Sequence, residues 1–145
     1  MTIVYATDFS ASAEPAEERA IRLAQLLNDE LVFVHVATET PLYGEGALGT
    51  ADVRAVYDAQ RRWATDVLNS RVAAARQAGV RARFSLRVGV PAQEITAAAD
   101  EEKARMIVIG THGRSGLDRL LLGSVAERVV RRASCPVLTV RPNET

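Results

Sequence analysis

Short apolar runs alternate along this chain with longer stretches in which apolar residues recur every three to four positions. The runs Thr2 to Ala6, Leu31 to Val36, Met106 to Ile109 and Pro136 to Val140 are rich in β-branched residues and nearly apolar on both faces. That is the pattern of strands buried in a sheet covered by helices. Arg81 to Val88 differs: Ala82, Phe84, Leu86 and Val88 alternate with Arg81, Arg83, Ser85 and Arg87, which predicts an edge strand with one exposed face. Between the runs the period is helical. A first helix is expected from about Ser12 to Asn28, with Pro15 in its first turn, Glu14, Glu17 and Glu18 near its positive end, and Ala16, Ala20, Leu23 and Leu27 as its inner stripe. A second is expected from an Asp52 N-cap to near Gly79, burying Ala64, Leu68, Val72 and Ala75. Pro91 opens a third, with Ile95, Ala98 and Ala99 inward, and Ser124 to Ala133 forms a fourth. Thr38 to Ala51, with Pro41, Gly44, Gly46 and Gly49, has no period and is the one long loop. Strands separated by helices run parallel through right-handed crossovers. The predicted fold is therefore an α/β sandwich of five parallel strands and four helices, a single domain over residues 1–145.

Composition removes whole classes of function. One cysteine, Cys135, and two histidines leave no disulfide framework and no cysteine-rich zinc site. Eighteen basic and eighteen acidic residues cancel, so no net field draws the chain to nucleic acid or anionic lipid. No apolar run approaches the ~20 residues of a membrane helix, and Met1 to Ser10 lacks a signal-peptide pattern. The expected location is the cytoplasm, with neither nucleic acid nor membrane as partner. Lys103 is the only lysine and precedes the fourth strand, and no G-x4-G-K-[ST] loop is present. Phosphoryl transfer also needs a held Mg²⁺ and a positioned nucleophile, for which no clear residue set appears. Fast nucleotide turnover is accordingly not expected.

The segment with chemistry is Gly110 to Val125, GTHGRSGLDRLLLGSV, between the fourth strand and the fourth helix. Gly110, Gly113 and Gly123 let backbone approach a ligand without a Cβ in the way. The helix after Gly123 offers unpaired N–H groups and the positive end of its dipole, an anion site suited to phosphate. Ser124 and Glu127 match a capping box. The alternative is that these residues only make turns and a cap. Asp8, just past the first strand, is read either as a ligand contact or as a turn residue or cap of the first helix. His112 sits inside the glycine loop, as a phosphate partner or a solvent-facing histidine, and Arg114 and Arg119 are candidate phosphate charges or plain surface charges. His35, Cys135 and Trp63 are expected to be structural, and Tyr43 is a loop residue able to reach a bound base.

The spacing G-x2-G-x9-G-S after a buried strand, TDFS at Thr7 to Ser10, LVFVHV at Leu31 to Val36 and SCPVLTV at Ser134 to Val140 together resemble the universal stress protein family, in its ATP-binding, glycine-motif subgroup. The likeness runs from about Ile3 to Arg141. It implies a strand order of 3-2-1-4-5, which brings Asp8 and the glycine loop to one switch-point crevice. It implies further that Asp8 bonds the nucleoside and that Ala6 and Val36 line an adenine slot. Ile109 and Gly110 would approach the ribose and phosphate side, and Gly113, Gly123, Ser124 and Val125 would hold phosphates. Alanine at position 6 departs from the proline that family members often carry there. The expected ligand is ATP with Mg²⁺, and the expected role is that of a nucleotide-dependent regulator of stress response. Slow ATP hydrolysis at the same site, or a dimeric interaction module that uses no nucleotide, are the alternatives. The apolar strand Pro136 to Val140 lies at an edge in that order, and an antiparallel two-fold copy is expected to pair with it in a homodimer.

Overall fold

The computed structural model describes residues 1–38, 50–112 and 122–142. Its elements are β1 (Thr2–Ala6), a 3-10 turn (Ala11–Ala13), α1 (Glu14–Leu27), β2 (Glu30–Ala37), α2 (Thr50–Gln77), β3 (Ala82–Val88), α3 (Pro91–Glu101), β4 (Met106–Gly110), α4 (Ser124–Arg132) and β5 (Val137–Val140). The five strands form one parallel sheet in the order β3-β2-β1-β4-β5, as expected. Tyr43, Gly113, Arg114 and Arg119 lie outside the described residues.

Strand alternation divides the core in two. Ile3 and Tyr5 of β1, Leu31 and Phe33 of β2 and Val108 of β4 face α1 and α2, meeting Ala16, Ala20, Ala24, Leu68, Val72 and Ala75. Val4, Ala6, Val32, Val34, Ile107 and Ile109 face α3 and α4. Both faces of the three central strands are thus covered, which is why their sequences read as continuous apolar runs. The inner stripe of α1 differs from expectation: it is Ala16, Ala20 and Ala24, while Leu23 is partly buried and Leu27 is exposed. Small residues at four-residue spacing let the helix lie close to the sheet, and Leu27 is carried outward where the left-handed Asn28 ends the helix. Helix α2 starts at Thr50, so Asp52 lies in the first turn instead of at the N-cap. Acidic side chains favour both positions, and sequence alone does not choose between them.

The arginine face of β3 is not a bare charged surface. Arg83 pairs with Glu30 and Glu102, and Arg87 with Glu94 and Glu101, so the strand's charges are met by carboxylates on β2 and α3. Exposed pairs of this kind each contribute little to stability.

A more buried pair lies beside the start of β2. Asp29 is 3% exposed and accepts from Arg105 Nε at 2.6 Å, tying the start of β2 to the start of β4. That hydrogen bond holds the Asp29 carboxyl below its ordinary range against the opposing effect of burial. A carboxyl whose folded pKa is depressed stabilises the fold above its unfolded pKa, near 3.9, and loses that effect as pH falls through the lower folded value. Asp29→Asn is expected to cost about 1.5–3 kcal/mol at pH 7, the scale of a charged hydrogen bond. The gap from wild type in urea unfolding should narrow as the pH falls below the ordinary carboxyl pKa of about 3.9. A gap constant across that range would rule out the ion pair as its source.

Among the described residues, no helix is long and apolar enough to cross a membrane, and no cluster of three or more His, Cys, Asp or Glu could hold a metal ion.

Candidate functional site

In a parallel sheet all strands end on the same side, and here the connections from β1 and β4 leave to opposite faces. A cleft of about 270 Å³ opens between their C-terminal ends. Ala6, Asp8, Val36, Ile109, Gly110, Gly123, Ser124 and Val125 all line it, although a hundred or so residues separate the two groups in sequence. Gly113, like the further candidates Tyr43, Arg114 and Arg119, lies outside the described residues.

The β1 wall is a tight turn. Ser10 N–H donates to Asp8 Oδ1 at 2.9 Å, and Phe9 N–H donates to Thr7 Oγ1 at 3.0 Å. Asp8 therefore fulfils its structural reading, an Asx turn, while also lining the cleft. It does not cap α1, whose N-cap is Ala13. Phe9 occupies the left-handed region at φ 65°, unusual for an aromatic residue, and the turn is braced from outside. His35 lies face to face with the Phe9 ring at 4.1 Å, and Trp63 meets that ring edge-on at 5.4 Å. The Thr7 carbonyl can only accept, so the 2.8 Å contact fixes a hydrogen on His35 Nδ1. His35 thus has the structural role expected, but it also lines the cleft. Trp63 is not a core residue: it remains 54% exposed, covering the turn from α2. Tyr5, whose hydroxyl donates to the Ala13 carbonyl at 3.1 Å, anchors the following 3-10 turn, and burial pushes its phenol well up.

The opposite wall is the start of α4. The capping box does not form. Gly123 is the N-cap, Ser124 is the first helical residue, and no side chain caps the helix. The reason is tertiary: Gly123 N–H donates to the Thr111 carbonyl at 2.5 Å, which pins the chain one residue earlier than local pattern suggests. Among the described residues no side-chain oxygen caps this first turn, and Gly123, Ser124, Val125 and Ala126 line the cleft. Gly110 lines the cleft where β4 ends. A Cβ there would lie 3.5 Å from the Ser12 carbonyl and 3.7 Å from Ala13 Cα, ordinary contacts, so packing against the 3-10 turn does not by itself demand glycine.

Sequence reasoning did not assign Thr7, Thr111, Pro91 or Ile95 to the site, and it left His112 undecided; all five line the cleft. Pro91 and Ile95 follow β3, and the parallel sheet itself was the available signal, since every strand's C-terminal connection reaches this end. His112 is 9% exposed, buried rather than solvent-facing. Cys135 is partly buried away from the cleft, and burial raises its thiol pKa, consistent with an inert role.

An open, doubly wound α/β sheet with a switch-point cleft closed by an uncapped helix defines the class of protein. The model of the universal stress protein family matches residues 1–141, and the chain belongs to that family. It is 37% identical over 139 residues to the universal stress protein MJ0531 of Methanocaldococcus jannaschii, covering 96% of this chain and 81% of that protein. The solved structure of MJ0577 from the same organism superposes with a TM-score of 0.84 at 27% identity, covering 99% of this chain and 97% of the other. The universal stress protein of Archaeoglobus fulgidus, solved in complex with dAMP, aligns with a TM-score of 0.67 at 30% identity over 97% of this chain and 98% of its own.

Proposed function

We propose that this protein binds an adenine nucleotide in the β1–β4 cleft and acts as a nucleotide-dependent regulator in stress response. The observation that carries the reading is the α4 N-terminus: a glycine N-cap and no capping side chain, facing the end of β1 across the switch point. Apolar walls from Ala6, Val36, Pro91 and Ile95 suit the faces of a purine, and Asp8 supplies an acceptor for its nucleoside. The dAMP complex of the Archaeoglobus relative supports an adenine nucleotide as the ligand class. The specific ligand we infer is ATP with Mg²⁺. The metal would arrive held by the phosphates, with the Ser124 hydroxyl as a side-chain oxygen near them. Gly113 belongs to the same phosphate reading through its place in the glycine spacing.

The direct test is mass spectrometry of nucleotide released from the denatured purified protein, with calorimetry of ATP, ADP and AMP and an overnight hydrolysis assay. Binding of none of them at millimolar concentration would overturn the proposal. Asp8→Asn separates the two roles of Asp8. The amide oxygen can still accept from Ser10 N–H, so the turn persists while the charge is lost. Nucleotide affinity is expected to fall by about 1–3 kcal/mol with thermal stability little changed. Full affinity in a folded variant would return Asp8 to the turn alone.

We infer also that the protein is a homodimer through β5. Among the described residues this strand pairs only with β4, and Val137, Leu138, Thr139 and Val140 are each only partly buried. No charged residue interrupts it, so its open edge is suited to a second copy.

A further inference from the structure

Two unfavourable features meet in the turn that carries Asp8. Phe9 sits at φ 65°, where a side chain crowds the following carbonyl and residues other than glycine are disfavoured. The Ser10 hydroxyl is buried and has no hydrogen-bond partner among the described residues. Ser10 is the N-cap of the 3-10 turn, yet its side chain does not cap it. Buried polar groups are almost always paired, so an orphan next to an aromatic residue in the left-handed region marks a turn held by its surroundings. Part of the hold is internal, through the bonds to Thr7 Oγ1 and Asp8 Oδ1. The rest is aromatic. His35, which donates to the Thr7 carbonyl, stacks on Phe9 with the ring planes 23° apart, and Trp63 meets Phe9 at 87°. Thr7, Asp8 and His35 line the cleft, whereas Phe9 and Trp63 are not among the described lining residues. The row His35–Phe9–Trp63 therefore leads from the cleft to the exposed surface of α2.

We infer that Phe9 and Trp63 are positioning residues for the cleft: they hold the Asp8 turn in the form that meets the ligand, and an occupied cleft in return holds Trp63 against Phe9. This rests on the nucleotide reading above. Released from the stack, the turn relaxes, because Phe9 can leave the left-handed region and the Ser10 hydroxyl can reach water. Relaxation carries the Thr7 and Asp8 backbone with it, and the cleft loses that wall. The stacked form is thus favoured from both ends, by a nucleotide bonded at Asp8 and by an aromatic side chain at position 63. Such coupling is reciprocal: whatever Trp63 adds to nucleotide affinity, the nucleotide adds to the docking of Trp63. The occupancy of the cleft becomes readable on the outside of α2, away from the ligand.

Trp63 is the only tryptophan in the chain, so its fluorescence reads the far end of the row directly. Calorimetry on the full chain first finds which of ATP, ADP and AMP binds, and that nucleotide is the probe. At saturation it should shield Trp63 from collisional quenching by acrylamide. Trp63→Ala should weaken its affinity roughly two- to tenfold, the scale of one aromatic pair, and Trp63→Phe should restore most of the loss. Phe9→Leu, which keeps an apolar side chain but no ring, should bind more weakly and remove the shielding of Trp63. Wild-type affinity in folded Trp63→Ala would overturn the inference, and so would a Trp63 equally open to acrylamide in free and saturated wild type. If near-ultraviolet circular dichroism shows Trp63→Ala unfolded, the shielding in wild type decides alone. Nucleotide binding with neither response would overturn this inference and leave the nucleotide reading standing. Binding of none of the three would overturn the nucleotide reading and this inference with it.

Discussion

Gly123→Asp should abolish nucleotide binding while leaving thermal stability unchanged or slightly raised. An N-cap side chain lies over the N–H groups of the second and third helical residues, here Val125 and Ala126. Glycine leaves them open. An aspartate at position 123 would fill that place with its own carboxylate, capping α4 from within and gaining a few tenths of a kcal/mol over glycine. The backbone at Gly123, φ −59° and ψ 157°, is one that any residue adopts, so no strain accompanies the change. A phosphate would then meet a like charge at the site it needs, a cost of several kcal/mol, or more than a hundredfold in affinity. Gly123→Val should also block binding, by bulk alone, but without the gain in stability. Retained affinity in folded Gly123→Asp would move the phosphates away from α4 altogether. Opposite signs for stability and binding separate this outcome from general damage to the fold.

Thr139→Pro should convert the proposed β5 dimer to a monomer. The direction of each β5 peptide follows from two hydrogen bonds: Ile107 N–H donates to the Pro136 carbonyl and Thr111 N–H to the Val140 carbonyl. By alternation along the strand, residues 136, 138 and 140 address β4, while Val137 and Thr139 turn their N–H and C=O groups to the open edge. Proline at position 139 removes an outward donor and places a ring where the partner strand would lie, while sparing the β4 ladder. Val140→Pro is the poorer test, because it breaks a bond inside the sheet. Light scattering over a dilution series should give twice the chain mass for wild type and the chain mass for Thr139→Pro. A dimer indifferent to the substitution would remove β5 as the interface.

Long-range order and local detail differ in how far the sequence discloses them. The strands are legible because burial on two faces leaves an unbroken apolar run, as in Leu31 to Val34, and α2 is legible because Ala64, Leu68, Val72 and Ala75 keep one period over about three turns. Strand order is not carried by any local pattern; it came from the resemblance carried by the glycine spacing and TDFS. The site was legible where backbone chemistry leaves a mark, as at Gly123 and Asp8. It was not legible where a tertiary bond decides. Ser124 has the composition of a cap, yet the Gly123 to Thr111 bond shifts the helix start. His112 reads as a loop residue, yet its Thr111 contact and the cleft wall bury it.

The pairing of β1 with β4 also sets when the cleft can exist. Ile3 lies opposite Met106 and Ala6 opposite Ile109, whereas β1, β2 and β3 join through successive crossovers along the chain. During synthesis the first half of the sheet can assemble early, with one side of β1 still open. The cleft appears only after β4 and the start of α4 have left the ribosome. A ligand for this site would meet only chains in which β4 and the start of α4 are already in place. Its stabilisation falls on the native state, so it slows unfolding and leaves the folding rate of the emerging chain largely untouched.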